Sequence, residues 1–482
     1  MTSETQRPGL ALSVIPVIVL MSFLIVNVRT FGDSATAGPN QLALFLAAAL
    51  AACIGHFVLK LEYKTLELRA IHSIGLAMQA NLILLVVGAL IGLWIQAGIV
   101  PTLVYYGVKL LHPTSFLAVA CGSCCMISLA VGSSWSTMGT LGVALITIGA
   151  ALGIPTPMVA GAIVSGAYFG DKLSPLSDTT NLAPAIAGTD LFTHVRHMLY
   201  TTIPAISLAL LGYALLGFAY GGKTYDPALV LEVQEVLLSH FSIGIHTLIA
   251  PAVVLVLVLR KMPALPALTV GALLGAAEAL LFQSGNTTQG MTGIYTTLIT
   301  TAHSGYTLES GNAIIDDLLS KGGMLGMLNT VLLIIMAMLF GGMMEATGML
   351  RRIAASILSL VRGTGSLIGA TIGTCIFFNI TAAEQYLAIV VPGRMYREAY
   401  EEYGLDPRNL SRALEDGGTV TSVLVPWNTC GAYASSVLGV ATFDYLPWCF
   451  FNLCSPVIST FMAAMHWAIK MKAEDTLENS GT

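Results

Sequence analysis

Long apolar runs, most of them closed by Gly, Pro or a charge, set the pattern of the chain. A bilayer core of about 30 Å is crossed by about 20 apolar residues in helix. That rule predicts spans at 8–31, 39–59, 79–98 and 113–131, and again at 241–259, 263–282, 324–350 and 363–381. Further spans at 191–220 and 444–467 complete each half. Two apolar stretches, 136–181 and 384–433, are interrupted by Gly, Pro and polar residues, so neither reads as a plain span. The run 8–28 exceeds the roughly 7–15 apolar residues of a signal peptide. It is expected to be an uncleaved first span, although Ala35-Thr36-Ala37 imitates a cleavage site. The fold class predicted is an all-α polytopic membrane protein.

The two halves look related. Gly92 and Gly98 align with Gly342 and Gly348 at an offset of 250, which also pairs Cys125 with Cys375 and Ser134-Trp135 with Glu384-Gln385. Further on, Asn181 before Pro204 parallels Asn428 before Pro456. Short cytoplasmic loops collect Lys and Arg, and this bias is reversed between the halves. Lys60, Lys64 and Arg69 follow the second span of the first half, whereas the corresponding connection 283–323 has only Lys321. Gly32 to Gly38 has neither Lys nor Arg, but its counterpart carries Arg260 and Lys261. Lys109 stands alone where the mate has Arg351, Arg352 and Arg362. Two inverted-topology repeats give that pattern, and such repeats are a mark of secondary transporters. The expected organisation is a first inverted repeat at 1–220, a linker with an amphipathic helix at 221–240, a second inverted repeat at 241–470 and a polar tail at 471–482.

Composition narrows the function classes. Of 482 residues 55% are hydrophobic and 10% charged, with a mean hydropathy of +0.80. Soluble domains carry about 25% charge, so a water-soluble enzyme is excluded. A net charge of −5 and 21 dispersed Lys and Arg leave no phosphate-tracking stripe, and nucleic acid is not an expected partner. The 8 cysteines form no extracellular framework and are expected as free thiols.

The most informative stretch runs from Gly166 through Asp171-Lys172 to Ser177-Asp178-Thr179-Thr180-Asn181. It lies between apolar helices, where carboxylates are costly and unwound backbone is tolerated only if it lines a cavity. Ser, Asp, Thr and Asn are also favoured helix caps, but five in succession exceed what one cap needs. They supply hard oxygen ligands for a small cation such as Na⁺, and Asp178 can also take a proton. Asp171 and Lys172 read as an ion pair or interfacial anchor, with a direct role for Asp171 as the alternative. Gly132-Ser133-Ser134-Trp135-Ser136 to Thr140 interrupts another apolar region. Hydroxyls and small residues serve helix packing, or else mark a broken helix whose freed groups face a midplane site. Its mate, Asn379 to Tyr386, is polar as well, which favours the break. Glu384, as an acid opening an apolar stretch, is a relay or second-site candidate. Asn428 and Thr429 match the Asp178 segment in the second half, and Asn181 with Asn428 would form a pseudo-symmetric pair. Glu345 and Glu278 lie within spans as structural partners or relay groups.

Four strings are read as incidental. Gly217 to Thr224 fits the P-loop pattern but closes a membrane helix and follows no strand. Cys121-Gly-Ser-Cys124 lies mid-span without a second pair. His194, Arg196 and His197 mark a charged helix start, and Arg394 to Arg412 reads as a cytoplasmic connection.

Gly132-Ser-Ser-Trp135 through Gly139-Thr140, then Gly161 through Asp171, Asp178 and Asn181 to Pro184, with Gly188-Thr-Asp190, closely resemble the NhaC family of Na⁺/H⁺ antiporters. Gln385-Tyr386-Leu387, Pro392-Gly393-Arg394-Met395 and Trp427-Asn428-Thr429-Cys430-Gly431 fit the same family. The resemblance implies inverted repeats, broken helices with paired re-entrant hairpins, a transport domain moving against a scaffold, and a homodimer in a prokaryotic inner membrane. It also implies Ser134, Asp178, Thr180 and Asn181, with Asn428 and Thr429, as the cation- and proton-binding positions. Na⁺ is expected at Asp178, Thr180, Asn181 and Asn428, and Ser177, Asn379, Asp171, Glu384 and Glu345 are relay or second-site candidates. Ser133, Ser136 and Glu384 depart from the Thr, Gly and Asp usual in the family.

The expected function is secondary active Na⁺/H⁺ antiport without a cofactor, both ions sharing a buried Asp178. The rival is Na⁺-coupled exchange of a small carboxylate, such as malate or lactate, or of an amino acid. An ion channel is disfavoured by the broken helices, and a membrane enzyme by the want of a nucleophile and base in reach.

Overall fold

The computed structural model describes residues 8–220, 227–260, 262–283, 291–310, 316 and 319–472. An apolar solvent forces every backbone N–H and C=O to find a partner within the chain, and a helix does this within one segment. Among the described residues nine helices are long and apolar enough to cross a membrane, or up to eleven if each of two bent pairs is one span. The one β-type pairing among them is an isolated bridge between Leu405 and Met471.

The first half runs α1 (Leu10–Phe31), α2 (Pro39–Cys53), α3 (Tyr63–Leu76), α4 (Met78–Gln96), α5 (Ile99–Leu110) and α6 (Pro113–Val131). It continues through α7 (Ser134–Ala151), α8 (Thr156–Leu173), α9 (Asp178–Ala187) and α10 (Leu191–Tyr220). After α11 (Pro227–His240), the second half runs α12 (Ile249–Leu259), α13 (Ala264–Phe282), α14 (Met291–Ser304), α15 (Leu328–Ala346), α16 (Met349–Leu358) and α17 (Thr364–Thr381). It ends with α18 (Gln385–Glu402), α19 (Pro407–Leu414), α20 (Thr429–Leu438), α21 (Thr442–Tyr445) and α22 (Phe450–Ala464). From α19 the chain winds on through a wider turn, Glu415–Thr419, into Val420–Ser422.

Most predicted spans hold, and three differ for local reasons. The 241–259 span is one arm of a pair bent by 89°, Val233–His240 with Ile245–Leu259. The 324–350 span divides at Gly348, whose φ of 72° is left-handed and ends α15. The 444–467 span is bent by 60° next to Cys449. Residues 221–226 of the expected linker, with Gly222, Lys223 and Thr224 of the P-loop-like string, lie outside the described residues, as do Lys261 and 473–482 of the tail.

The order of elements repeats. Pro113 and Thr364, Ser134 and Gln385, Thr156 and Pro407, and Asp178 and Thr429 open successive helices, each pair 251 positions apart. Left-handed Gly188 and Gly439 keep the same spacing, whereas left-handed Gly98 and Gly348 are 250 apart. One residue is therefore gained in the second half between α5 and α6, and the register expected from Cys125 and Cys375 shifts by one. Gly132 (φ 74°) matches Ala383 (φ 57°), and each is followed by an extended capping residue, Ser133 or Glu384. Likewise Ser177, not Asn181, is the counterpart of Asn428: both stand in extended backbone at the N-cap position of the helix that follows.

Small residues bring α6 and α8 into close contact, as van der Waals packing requires where no hydrophobic force operates between helices. A methyl on Gly166 would press into the Cys121 carbonyl, and one on Gly170 into the backbone at Leu129. Gly122, on the same helix as Cys121, has nothing within 4 Å of such a methyl. Gly166→Ala is expected to destabilise the purified protein by about 1–3 kcal/mol, as overpacking does, with Gly122→Ala neutral. Equal melting temperatures for the two variants in detergent would contradict this packing.

Candidate functional site: a cavity enclosed by four helix starts

α7, α9, α18 and α20 all begin at one cavity of about 430 Å³. Each start follows a break in an apolar helix or a hairpin turn, and each leaves N–H groups unbonded by its own helix. Local side chains satisfy some of them. Ser133 Oγ accepts from the Ser136 N–H at 3.2 Å, Glu384 Oε2 from Leu387 at 3.0 Å and Asn428 Oδ1 from Cys430 at 3.0 Å. Three carboxylates, Asp171, Asp178 and Glu384, line the same cavity. Negative charge is favoured at a helix N-terminus, so the acids and the helix starts stabilise one another. The opposite wall is mostly apolar, from Ala77 and Ile83 on one side and Val258 and Ala264 on the other.

The two halves are tied together behind the cavity. Trp135 and Tyr433 stack with centroids 4.1 Å apart, and the Tyr433 hydroxyl donates to the Trp135 carbonyl at 2.8 Å. Within the second half, the Thr429 N–H donates to the carbonyl of left-handed Ala383 at 3.0 Å.

Asp171 and Glu384 are both buried, 7% and 6% exposed, and Asp171 Oδ2 accepts a 2.6 Å hydrogen bond from Ser134. Asp178, expected to be buried, is exposed: as the first residue of α9 it opens toward the cavity, where the Tyr386 hydroxyl donates to it at 3.3 Å. Of the four residues expected to hold Na⁺, Asp178 alone lines the cavity. The Thr180 hydroxyl lies within 3.0 Å of the Asp171 and Lys172 carbonyls and closes the end of α8. The Asn181 amide donates to Pro175 at 2.8 Å and Ser177 at 2.7 Å. The Asn428 amide donates to the Asn379 carbonyl and to its side-chain oxygen, both at 3.1 Å, while its own oxygen caps α20. These side chains shape the two hairpins and leave the cavity surface to others. Ser177, Thr179 and Thr429 do face the cavity. Asn379 is buried and binds the Gly418 carbonyl at 2.7 Å. Glu345 is exposed and lies off the cavity, and Glu278 accepts from the Ala250 N–H at 2.9 Å, a structural role.

Lys172 does not pair with Asp171. Its ammonium forms a fully buried ion pair with Asp416, whose same oxygen accepts from Ser455 at 2.7 Å and Thr201 at 3.3 Å. Arg412, Glu415 and Asp416 are all completely buried, so the connection read as cytoplasmic ends inside the protein. His194 and His197, read as an interfacial helix start, are buried too, with His194 bonded to Ser411 at 2.7 Å. The repeat carried the signal for this: at 251 positions Arg412, Glu415 and Asp416 stand opposite Gly161, Val164 and Ser165 of α8, an intramembrane helix. All eight cysteines are free, and among the described residues no cluster of His, Cys, Asp and Glu is arranged to hold a metal.

Comparison with known proteins agrees with this architecture. Residues 166–467 match the model of the Na⁺/H⁺ antiporter family. The chain is 41% identical to the malate-2H⁺/Na⁺-lactate antiporter of Bacillus subtilis over 85% of its own length and 86% of that protein's. It is 34% identical to the Na⁺/H⁺ antiporter NhaC of Alkalihalophilus pseudofirmus, covering 98% and 97%. Similarity to the arginine/ornithine antiporter ArcD of Halobacterium salinarum is 35% over 98% and 96%. The chain belongs to the Na⁺/H⁺ antiporter family, of the NhaC type. This antiporter is thus a multi-pass secondary transporter of the prokaryotic inner membrane.

Its buried ion pair sets a measurable constraint. Removing one partner of a buried pair leaves an uncompensated charge and costs about 3–5 kcal/mol, whereas replacing both by apolar residues is often neutral. Asp416→Asn is expected to lower the stability of the antiporter sharply, and Lys172→Met with Asp416→Leu to recover most of it. Thermal unfolding of the single and double variants measures this, and additive losses would contradict the pairing.

Proposed function

We propose that the antiporter exchanges Na⁺ for H⁺ at the cavity, the two ions competing for Asp171 and Asp178. The observation that carries this reading is the meeting of four helix starts and three carboxylates in one polar space between apolar helices. Two carboxylates sharing such a space oppose each other's ionisation until a cation or a proton offsets the charge. Na⁺ bound between them, with Ser177, Thr179 and Thr429 adding oxygens, does what protonation does by another means. An empty, doubly charged site is costly to carry through a low-dielectric barrier, so the site crosses loaded with one ion or the other. That restriction makes the exchange obligatory, and the transported ions are the substrates with no cofactor required.

The apolar wall formed by α4 and α13 offers the hairpins no fixed hydrogen bonds to break as they move. An inverted relation of the halves, supported by the reversed loop charges, supplies two equivalent end states. A homodimeric scaffold belongs to the same reading and rests on the family resemblance.

A second reading has its own observation. A volume of about 430 Å³ exceeds what a dehydrated cation fills, and helix N-termini favour anions. A small carboxylate beside Na⁺ fits this space, and one relative is named for malate and lactate exchange.

Na⁺-induced dissipation of a pH gradient in proteoliposomes separates these readings. Na⁺ alone is expected to drive proton movement, which Asp171→Asn abolishes. Asp178→Asn is expected to raise the half-saturating Na⁺ concentration by about tenfold, the loss of one charged contact worth about 1.5–3 kcal/mol. A response seen only with lactate or malate present selects the second reading. Wild-type exchange by Asp171→Asn overturns the site.

A further inference from the structure

Of the buried acids that the mechanism above does not use, Glu278, Glu384 and Asp416 each have a bonding partner, and Glu415 does not. Glu415 lies in the wide turn that continues α19; it is 0% exposed, and neither carboxyl oxygen has a hydrogen-bond partner. Of the cations around it, Lys172 is paired with Asp416 and held by Ser455 at 3.0 Å, and Arg412, one turn earlier, donates to the Ala468 carbonyl at 3.0 Å. An ionised carboxylate that accepts no hydrogen bond and forms no ion pair is among the costliest groups to bury, whereas a protonated one needs little.

The surroundings connect this acid to the cavity. Asp171 and Lys172 are consecutive residues at the end of α8: Asp171 faces the cavity and Lys172 reaches the Asp416 that adjoins Glu415. The charged and titratable groups around Glu415 are Lys172 and Asp171 of α8, Cys375 of α17, and Asp416 and Arg412 of its own segment. Tyr396 of α18 lies beside the same α17 turn, bonded to Thr374 at 2.7 Å. α22, which supplies Ser455, has no charged residue, and α9 has Asp178 alone.

We propose that Glu415 is a second proton-binding site, separate from the cavity, which carries one of the protons exchanged in each turnover. This rests on the Na⁺/H⁺ exchange proposed for the cavity. With the cavity protonated, Glu415 binds a proton from water on one face, forming an O–H bond. A cation arriving at Asp171 on the other face raises the local potential, and the proton leaves Glu415 for water there. By linkage, protonation of Glu415 weakens Na⁺ binding by the same factor. Each cycle then moves one proton more than the cavity alone accounts for, with no other species consumed.

The test is the H⁺:Na⁺ stoichiometry of the full-length protein in proteoliposomes, read from the pH gradient that nulls flux against a fixed Na⁺ gradient. Counterflow of ²²Na⁺ against Na⁺ is measured in parallel. Glu415→Gln is expected to lower the stoichiometry by one proton per Na⁺ while counterflow persists, and Glu415→Asp to restore it. An unchanged stoichiometry in Glu415→Gln overturns the proposal. Should that variant fail to assemble, infrared difference spectra of the wild type and Glu415→Asp decide. Na⁺-induced loss of a buried protonated-carboxyl band that moves in Glu415→Asp supports the site, and no such band overturns it. Failure of the cavity reading is seen elsewhere, as wild-type counterflow in Asp171→Asn.

Discussion

Breaking a helix among apolar neighbours exposes backbone N–H groups where no lipid can satisfy them. This protein does so four times, at Ser134, Asp178, Gln385 and Thr429, and turns all four starts toward one cavity. The rest of the site follows from that constraint. Ser133, Glu384 and Asn428 cap three of the starts, Thr180 closes the end of α8 opposite, and the Asn379–Asn428 pair fixes the second hairpin. The acids that remain face a space that is electropositive from the backbone and polar from the side chains.

The buried Lys172–Asp416 pair joins the end of the first hairpin to the descending arm of the second. Its partners Ser455 and Thr201 come from α22 and α10, so four elements meet at one charge pair. Such a joint ties the two hairpins to each other through polar bonds. The wall facing them across the cavity, by contrast, is held mostly by apolar contact. A body locked by polar bonds against a wall without them is the mechanical arrangement that alternating exposure of one site demands.

Much of this was legible in the sequence. The 20-residue apolar rule placed α6 to the residue, and the polar interruptions at Ser133 to Thr140 and at Asn379 to Gln385 marked both breaks. The hydroxyl-rich run at Ser177 to Asn181 marked the first hairpin, but residue type could not say which oxygens face the ion. Asp178 and Asn181 are three positions apart and share a helix face, yet one lines the cavity and the other bonds back to Pro175. Asp171 was undervalued because Lys172 beside it looked like its partner. The true partner is 244 residues away, a distance that local pattern does not reach. The same long-range pairing hid Arg412, Glu415 and Asp416, whose charge imitates a solvated loop. A register error of one residue in the repeat was enough to mismatch Ser134 with Glu384, since helix breaks are fixed by backbone conformation at Gly132 and Ala383 rather than by the similarity of side chains.

The central claim is that Na⁺ and protons exclude one another from the carboxylates of this cavity. Calorimetric titration of Na⁺ into the purified protein, repeated in buffers of different ionisation enthalpy and across pH, counts the protons released per Na⁺ bound. Competition predicts proton release on binding and an affinity that weakens as pH falls, both lost in Asp171→Asn. Na⁺ binding that releases no protons and keeps one affinity from acid to neutral pH would contradict it.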